Sequence, residues 1–191
     1  MLSFIIVLAI LVGGGFYLRS TLVREKQPRP EMTEEKIKQQ WRELGFFCEL
    51  DDEKKIWILT GSRAGLLFFP DLLLGFVADP ANARDGSQKH YDPYGSLQIM
   101  TWPEAGFGGN AIRGSLVALA HLAEIIEAKL ASAQAGERLR IRDEFSPNSP
   151  YSLVLDVRPD GFDPASTDRE HLGITTAPPS KPPDTGATPS K

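Results

Sequence analysis

Cysteine is all but missing from this 191-residue chain. Cys48 stands alone, which excludes an intramolecular disulfide and fits a reducing compartment better than a secreted one. Histidine is scarce as well: His90, His121 and His171 are widely separated, and no cluster of Cys or Asp stands ready to complete a metal shell around them. An excess of positive charge is also lacking. The formal net charge of -4 provides no broad basic field, which argues against wrapping of nucleic acid. Wholesale disorder is excluded by the opposite observation, since 41% hydrophobic and 24% charged residues are ordinary for a chain that folds around a core.

Charge is wholly absent from one stretch, Leu2 to Leu18, where Ile5, Ile6, Val7, Leu8, Ile10, Leu11 and Val12 dominate. A helix over this run rises about 26 Å, close to the roughly 30 Å hydrocarbon core of a bilayer. Gly13, Gly14 and Gly15 weaken a helix in water but are at home in membrane helices. A cleaved signal peptide needs basic residues before the apolar run and a small-residue site after it. Here Met1-Leu2-Ser3 carries no side-chain charge, and Phe16-Tyr17-Leu18 follows the glycines. The expectation is a retained, single-pass signal anchor over residues 1–18.

Arg19, Arg24, Lys26 and Arg29 crowd the far side of that run. Positive flanks stay inside, so the N-terminus is expected outside and the long C-terminal part in the cytoplasm, with residues 19–32 as a basic juxtamembrane linker. Membrane lipid is thus the first expected partner.

Beyond the linker, Thr33 reads as an N-cap, with Glu34 and Glu35 in the first turn of a helix that Gly45 ends. Ile37, Gln40 or Trp41, and Leu44 fall on one stripe. Phe46 to Leu50 and Lys55 to Leu59 read as strands joined by the polar turn Asp51-Asp52-Glu53-Lys54. Thr60-Gly61-Ser62 then precedes an apolar helical stretch, Ala64 to Val77, interrupted by Pro70, where a kink or a late start is expected. Arg113-Gly114-Ser115 precedes a second, amphipathic stretch, Leu116 to Leu130. Each is followed by a polar turn region and an apolar strand, Ser96 to Met100 and Ser152 to Asp156. The shared order makes residues 56–102 and 111–158 a candidate duplicated β-α-β-β unit. The fold class expected is α+β: after the transmembrane helix, a mainly antiparallel sheet with helices on one face, over residues 33–163. From Pro164 to Lys191 the composition turns to Pro, Thr, Ser and Ala and predicts a disordered tail.

No constellation rises to a mechanism, so no catalytic, cofactor or metal residue is assigned, and no cofactor is expected. Gly106-Phe107-Gly108-Gly109-Asn110-Ala111 has the spacing of a dinucleotide fingerprint, but Gly114-Ser115 looks like the true helix start, and a flexible hairpin loop is the better reading. His121 and Glu124 share a helix face without a matching pair elsewhere. Cys48 sits within a predicted strand as a buried, inert thiol, and Ser62 and Ser115 are occupied as caps. Asp143 and Glu144 are adjacent at a strand end and face opposite ways. Asp156, Asp160 and Asp163 with Gly161 lack the ligand spacing of a calcium loop. Pro179 and Pro182 form only a minimal proline-rich ligand motif.

Gly114-Ser115, the helix with Leu119, Leu122 and Ile126, and the strands Leu139 to Arg142 and Ser152 to Leu155 together resemble small α+β immunity proteins found beside bacterial polymorphic toxins. The resemblance covers residues 113–157 and implies a protein that binds and blocks a toxin without catalysis. Three functions are therefore carried forward: a membrane-anchored cytoplasmic domain that binds a protein partner, a tethered enzyme whose Cys48, His90, His121, Asp143 and Glu144 converge in space, and a structural subunit of an envelope assembly.

Overall fold

The computed structural model describes residues 33–168. The expected anchor (1–18), the basic linker (19–32) and the tail beyond Asp168 lie outside the described residues. Among those described, no helix is long and apolar enough to cross a membrane.

The first helix, α1 (Glu34–Leu44), forms as its sequence expects. The Thr33 hydroxyl accepts from the Lys36 N–H, and Gly45, at φ 82°, closes the helix by donating to the Trp41 carbonyl. Its stripe buries Trp41 and Leu44 and half-buries Ile37. Strands β1 (Phe46–Asp51) and β2 (Ile56–Ser62) follow as an antiparallel hairpin, with Asp51 accepting the Lys54 N–H in the turn at 2.8 Å.

At Gly61-Ser62 the chain leaves the sheet. The Ser62 hydroxyl accepts from the Gly65 N–H at 3.1 Å and starts α2 (Arg63–Leu66). The apolar stretch, expected to kink or start late at Pro70, instead breaks at Leu67, with α2 ending at Leu66 and α3 running from Phe68 to Ala78. Pro70 lies in the first turn of α3, where a missing N–H leaves no intrahelical bond unmade. A 3₁₀ turn (Pro80–Ala83) leads to β3 (Gln88–His90) and β4 (Gln98–Thr101). The order then recurs: β5 (Gly106–Phe107), β6 (Ile112–Gly114), α4 (Leu116–Ala131), β7 (Arg138–Ile141) and β8 (Ser152–Arg158).

The recurrence extends to single hydrogen bonds. Ser115 caps α4 through the Ala118 N–H at 3.1 Å, with the same φ of -62° and ψ of 160° as Ser62. Gly61 pairs with Val157, and Gly114 pairs with Thr101. The Gly86 N–H donates to the Thr101 carbonyl at 2.8 Å, and the Gly136 N–H donates to Val157 at 2.7 Å. Thr101 and Val157 in turn donate to Ser87 and Glu137, at 2.8 and 2.9 Å. Each repeating unit is therefore β-β-α-β-β and begins one strand earlier than the expected bounds of 56 and 111. The sequence concealed this because β5 has only two residues.

The single sheet expected from the sequence is instead two mixed four-stranded sheets, ordered β1-β2-β8-β7 and β3-β4-β6-β5. Hairpins supply the antiparallel pairs at the edges. The central pairs, β2 with β8 and β4 with β6, are parallel and join a strand of one unit to a strand of the other. Each sheet is thus completed by exchange, and neither unit can close its own sheet.

One core results. Trp57, Leu59, Leu153 and Leu155 of the first sheet, Ile99, Phe107 and Ile112 of the second with Leu97 just before β4, and Phe69, Leu73, Leu119, Leu122 and Ile126 of the helices are buried in one continuous cluster. Alternation along β2 sends Trp57 and Leu59 into it, while Ile56 and Ile58 turn to the other side and meet Val154 in a small separate cluster.

The expected tail begins too early. Pro164–Ser166 form a 3₁₀ turn capped by Asp163, Ala165 is buried, and Asp168 is only 2% exposed. The Asp168 carboxylate accepts from Trp41 Nε1 at 2.6 Å and from the Tyr94 hydroxyl at 2.7 Å, while Asp163 takes the Arg42 guanidinium at 2.8 Å. Those bonds, invisible to composition, carry the domain through Asp168.

Candidate functional site

The glycine-rich segment forms the turn of the β5–β6 hairpin, as the hairpin-loop reading expects, and it is packed against Trp57 and Tyr151. Gly106 and Phe107 form β5, and the Gly108 N–H closes on the Ala111 carbonyl at 2.9 Å. Trp57 Nε1 donates to the Gly108 carbonyl at 2.8 Å. A Cβ on Gly109 would sit 2.8 Å from the Tyr151 hydroxyl, so glycine is needed there for close approach. No helix starts behind the glycines to receive a pyrophosphate, because α4 begins only at Leu116. Tyr151 itself is tied to the β1–β2 turn: its hydroxyl donates to Asp52 and lies 3.0 Å from Lys55 Nζ. Lys55 has φ 56°, and this contact gives the turn its anchor.

The remaining candidates stand apart. Cys48 is buried in β1, and burial, reinforced by the charges of Asp92 and Glu49, pushes its thiol well above the usual range. His90 Nδ1 contacts the Gly95 carbonyl at 2.7 Å in the other sheet. His121 and Glu124 form an exposed pair at 3.2 Å on α4. Glu144 binds Lys129 at 2.6 Å, which holds its carboxyl below the usual range, and Asp143 is exposed. Asp156 takes Arg158 at 3.0 Å, whereas Asp163 serves as a cap and as the partner of Arg42, so the three aspartates do not converge. Among the described residues no group of three His, Cys, Asp or Glu could hold a metal ion. Pro179, Pro182 and His171 lie outside the described residues.

What the fold does bring together is a surface. A groove of about 450 Å³ is lined by Glu49, Thr60, Arg138, Asp156 and Arg158. Its two guanidiniums face two carboxylates, so it presents no net charge. A second hollow, about 560 Å³, lies between the start of α2 and the segment after α4 and shares Arg158 with the first. Its wall includes Ala64 and Leu67, where an apolar ridge begins.

That ridge is the least ordinary feature of the domain. Ala64, Leu67, Phe68, Asp71, Leu74, Gly75 and Ala78 recur at helical spacing, and all are exposed. Phe68 is 51% exposed, Leu67 38% and Leu74 41%. The opposite side of the same helix buries Phe69, Leu73 and Phe76. A helix with large apolar side chains on both faces belongs inside a protein or against a partner, and Asp71 is the one charged residue on α3. Helix α4 packs beside it, running the other way, since Arg63 at the start of α2 donates to the Ala131 carbonyl at the end of α4. Val117, near the start of α4, is 81% exposed.

Sequence reasoning noted that this stretch was the more apolar of the two, but not which residues would remain outside. The available signal was a helix with too many apolar residues for one buried face. Comparison of the chain with protein-family models, with curated proteins and with solved structures gives no match.

Proposed function

We propose that this chain is a membrane-tethered binding domain that acts by engaging a protein partner rather than by catalysis. The observation that carries the reading is the exposed apolar ridge of α2–α3. Its aromatic and leucine side chains have the chemistry of an interface centre. The scattered placement of Cys48, His90, His121, Asp143 and Glu144 supports it, because an enzyme built on them would need them in one pocket.

Tethering rests on the uncharged run Leu2 to Leu18 and the four cations that follow, which would place the domain on the cytoplasmic side. Neutralisation of a toxin, as the immunity-protein resemblance implies, is one specific form of this function, and the matching of the two β-β-α-β-β units is the expected mark of a duplicated ancestor. Two experiments test the proposal. The full chain should stay with membranes through alkaline carbonate washing, and a variant lacking residues 2–18 should not. A photoreactive side chain at position 68 should cross-link a protein in native membranes while one at position 90 does not. Full release by carbonate, or equal labelling from both positions, contradicts it.

A further inference from the structure

Resting on that reading, we infer that the outer face of α2–α3 and α4 takes a basic, amphipathic segment of its partner, apolar side against Leu67, Phe68 and Leu74. The argument is one of charge complementarity. Residues 33–168 hold 14 Lys and Arg against 21 Asp and Glu, a formal charge of -7 for a domain within a chain whose total is -4. The helical layer follows this bias. Asp71 lies within the ridge itself, and Glu124 and Glu127 are exposed on the neighbouring helix. Of the cations nearby, Lys129 binds Glu144 at 2.6 Å, while Arg63 donates to the Ala131 carbonyl at 3.2 Å and keeps its charge, so that Asp71 and Glu127, with Glu124 beside His121, outnumber it.

An apolar ridge with a carboxylate rim selects for a ligand carrying the inverse pattern, one apolar face bordered by Lys or Arg. The same carboxylates disfavour an anionic bilayer, the other surface an apolar helix face could meet. A second copy of this chain would bring a like-charged rim against its own, which is unfavourable. The neutral groove at Arg138 and Asp156 offers no comparable preference.

The full chain is placed in phosphatidylcholine nanodiscs with an environment-sensitive dye on Ala78→Cys, an exposed position at the end of the ridge. The buried Cys48 thiol leaves labelling selective. Two helical peptides of about 14 residues are titrated, sharing one Leu/Phe face and carrying either Lys and Arg or Glu on the other. The expected result is a dye shift with the basic peptide, bound at least about tenfold more tightly than the acidic one. Phe68→Asp and Asp71→Lys, both exposed and expected to leave the melting temperature unchanged, should each weaken it by about tenfold. Equal affinity for both peptides, or insensitivity to both substitutions, overturns the inference. So does a dye shift from phosphatidylglycerol nanodiscs alone, which makes the bilayer the occupant, or a dimer abolished by Phe68→Asp, which makes it a second copy. If no peptide binds while position 68 still cross-links a protein, the binding function stands and the basic partner falls. If both fail, both fall.

Discussion

The two β-β-α-β-β units share a register but not a surface. In the second unit, α4 is one uninterrupted helix with Leu119, Leu122 and Ile126 inside and Glu124 and Glu127 outside, as a helix covering a sheet should be. In the first unit the helix at the same place is broken at Leu67, and its outer side carries Phe68, Leu67 and Leu74. The strands are held alike because each sheet needs both units. The helices are free to differ because each has one face that no strand touches. Like strand pairing thus coexists with unlike helix surfaces in the two units.

The comparison breaks first where the units are not equivalent. Helix α1 and the segment Asp163–Asp168 have no counterpart in the second unit, and Trp41 joins them, 1% exposed, tilted against the Phe47 ring at 4.7 Å and bonded to Asp168. Trp41→Ala should cost about 3–5 kcal/mol, read by chemical denaturation. A loss below about 1 kcal/mol would mean this clamp is dispensable.

The next effect lies at Gly65, whose counterpart by position after the cap is Ala118. A Cβ at Gly65 would fall 2.0 Å from the Gly45 carbonyl, a backbone atom, whereas Ala118 tolerates its methyl beside Gly114. Gly65→Ala should destabilise by about 3 kcal/mol and Ala118→Gly by only about 1 kcal/mol. Equal losses would refute the close approach of Gly65 to the Gly45 carbonyl. The two caps sharpen the likeness instead: Ser62→Ala and Ser115→Ala should each cost about 1 kcal/mol, equal within error by thermal melting.

The smallest effect is electrostatic. The Arg42 guanidinium holds Asp163 below the usual carboxylate range. A depressed carboxyl contributes stability above its unfolded pKa, about 3.9, and loses it as pH falls through the lower folded value. The pair is largely exposed, so less than about 1 kcal/mol is at stake. Asp163→Asn should therefore lower stability slightly and evenly from pH 7 to about 5, and converge with the parent chain only as pH falls through the lowered folded value. A difference that grows with acidity would reverse the assigned sign.

Legibility in the sequence followed the range of the physics. Thr33, Gly45, Ser62 and Ser115 announce helix ends through bonds within three or four residues, and all four act as read. Phe46 to Leu50 and Ser152 to Asp156 were visible as apolar runs, and the strands extend one residue and two residues further, to Asp51 and Arg158. The parallel exchange was not, because Gly61 meeting Val157 depends on contacts nearly a hundred residues apart, to which local periodicity is blind. Asp168 was lost in a proline-rich composition although Trp41 and Tyr94 both donate to it. The apolar ridge was half visible: the surplus of leucine and phenylalanine could be seen, but not the side on which it would be left.

Strand exchange makes the two units a single cooperative body, and native-state amide hydrogen exchange of the full chain carrying Gly65→Ala measures that directly. The lesion sits in the first unit. The expected result is that protection at Leu153 and Leu155 in one sheet falls by the same factor as at Ile99 and Ile112 in the other. Faster exchange confined to the sheet containing β2, with Ile99 and Ile112 unchanged, would contradict it.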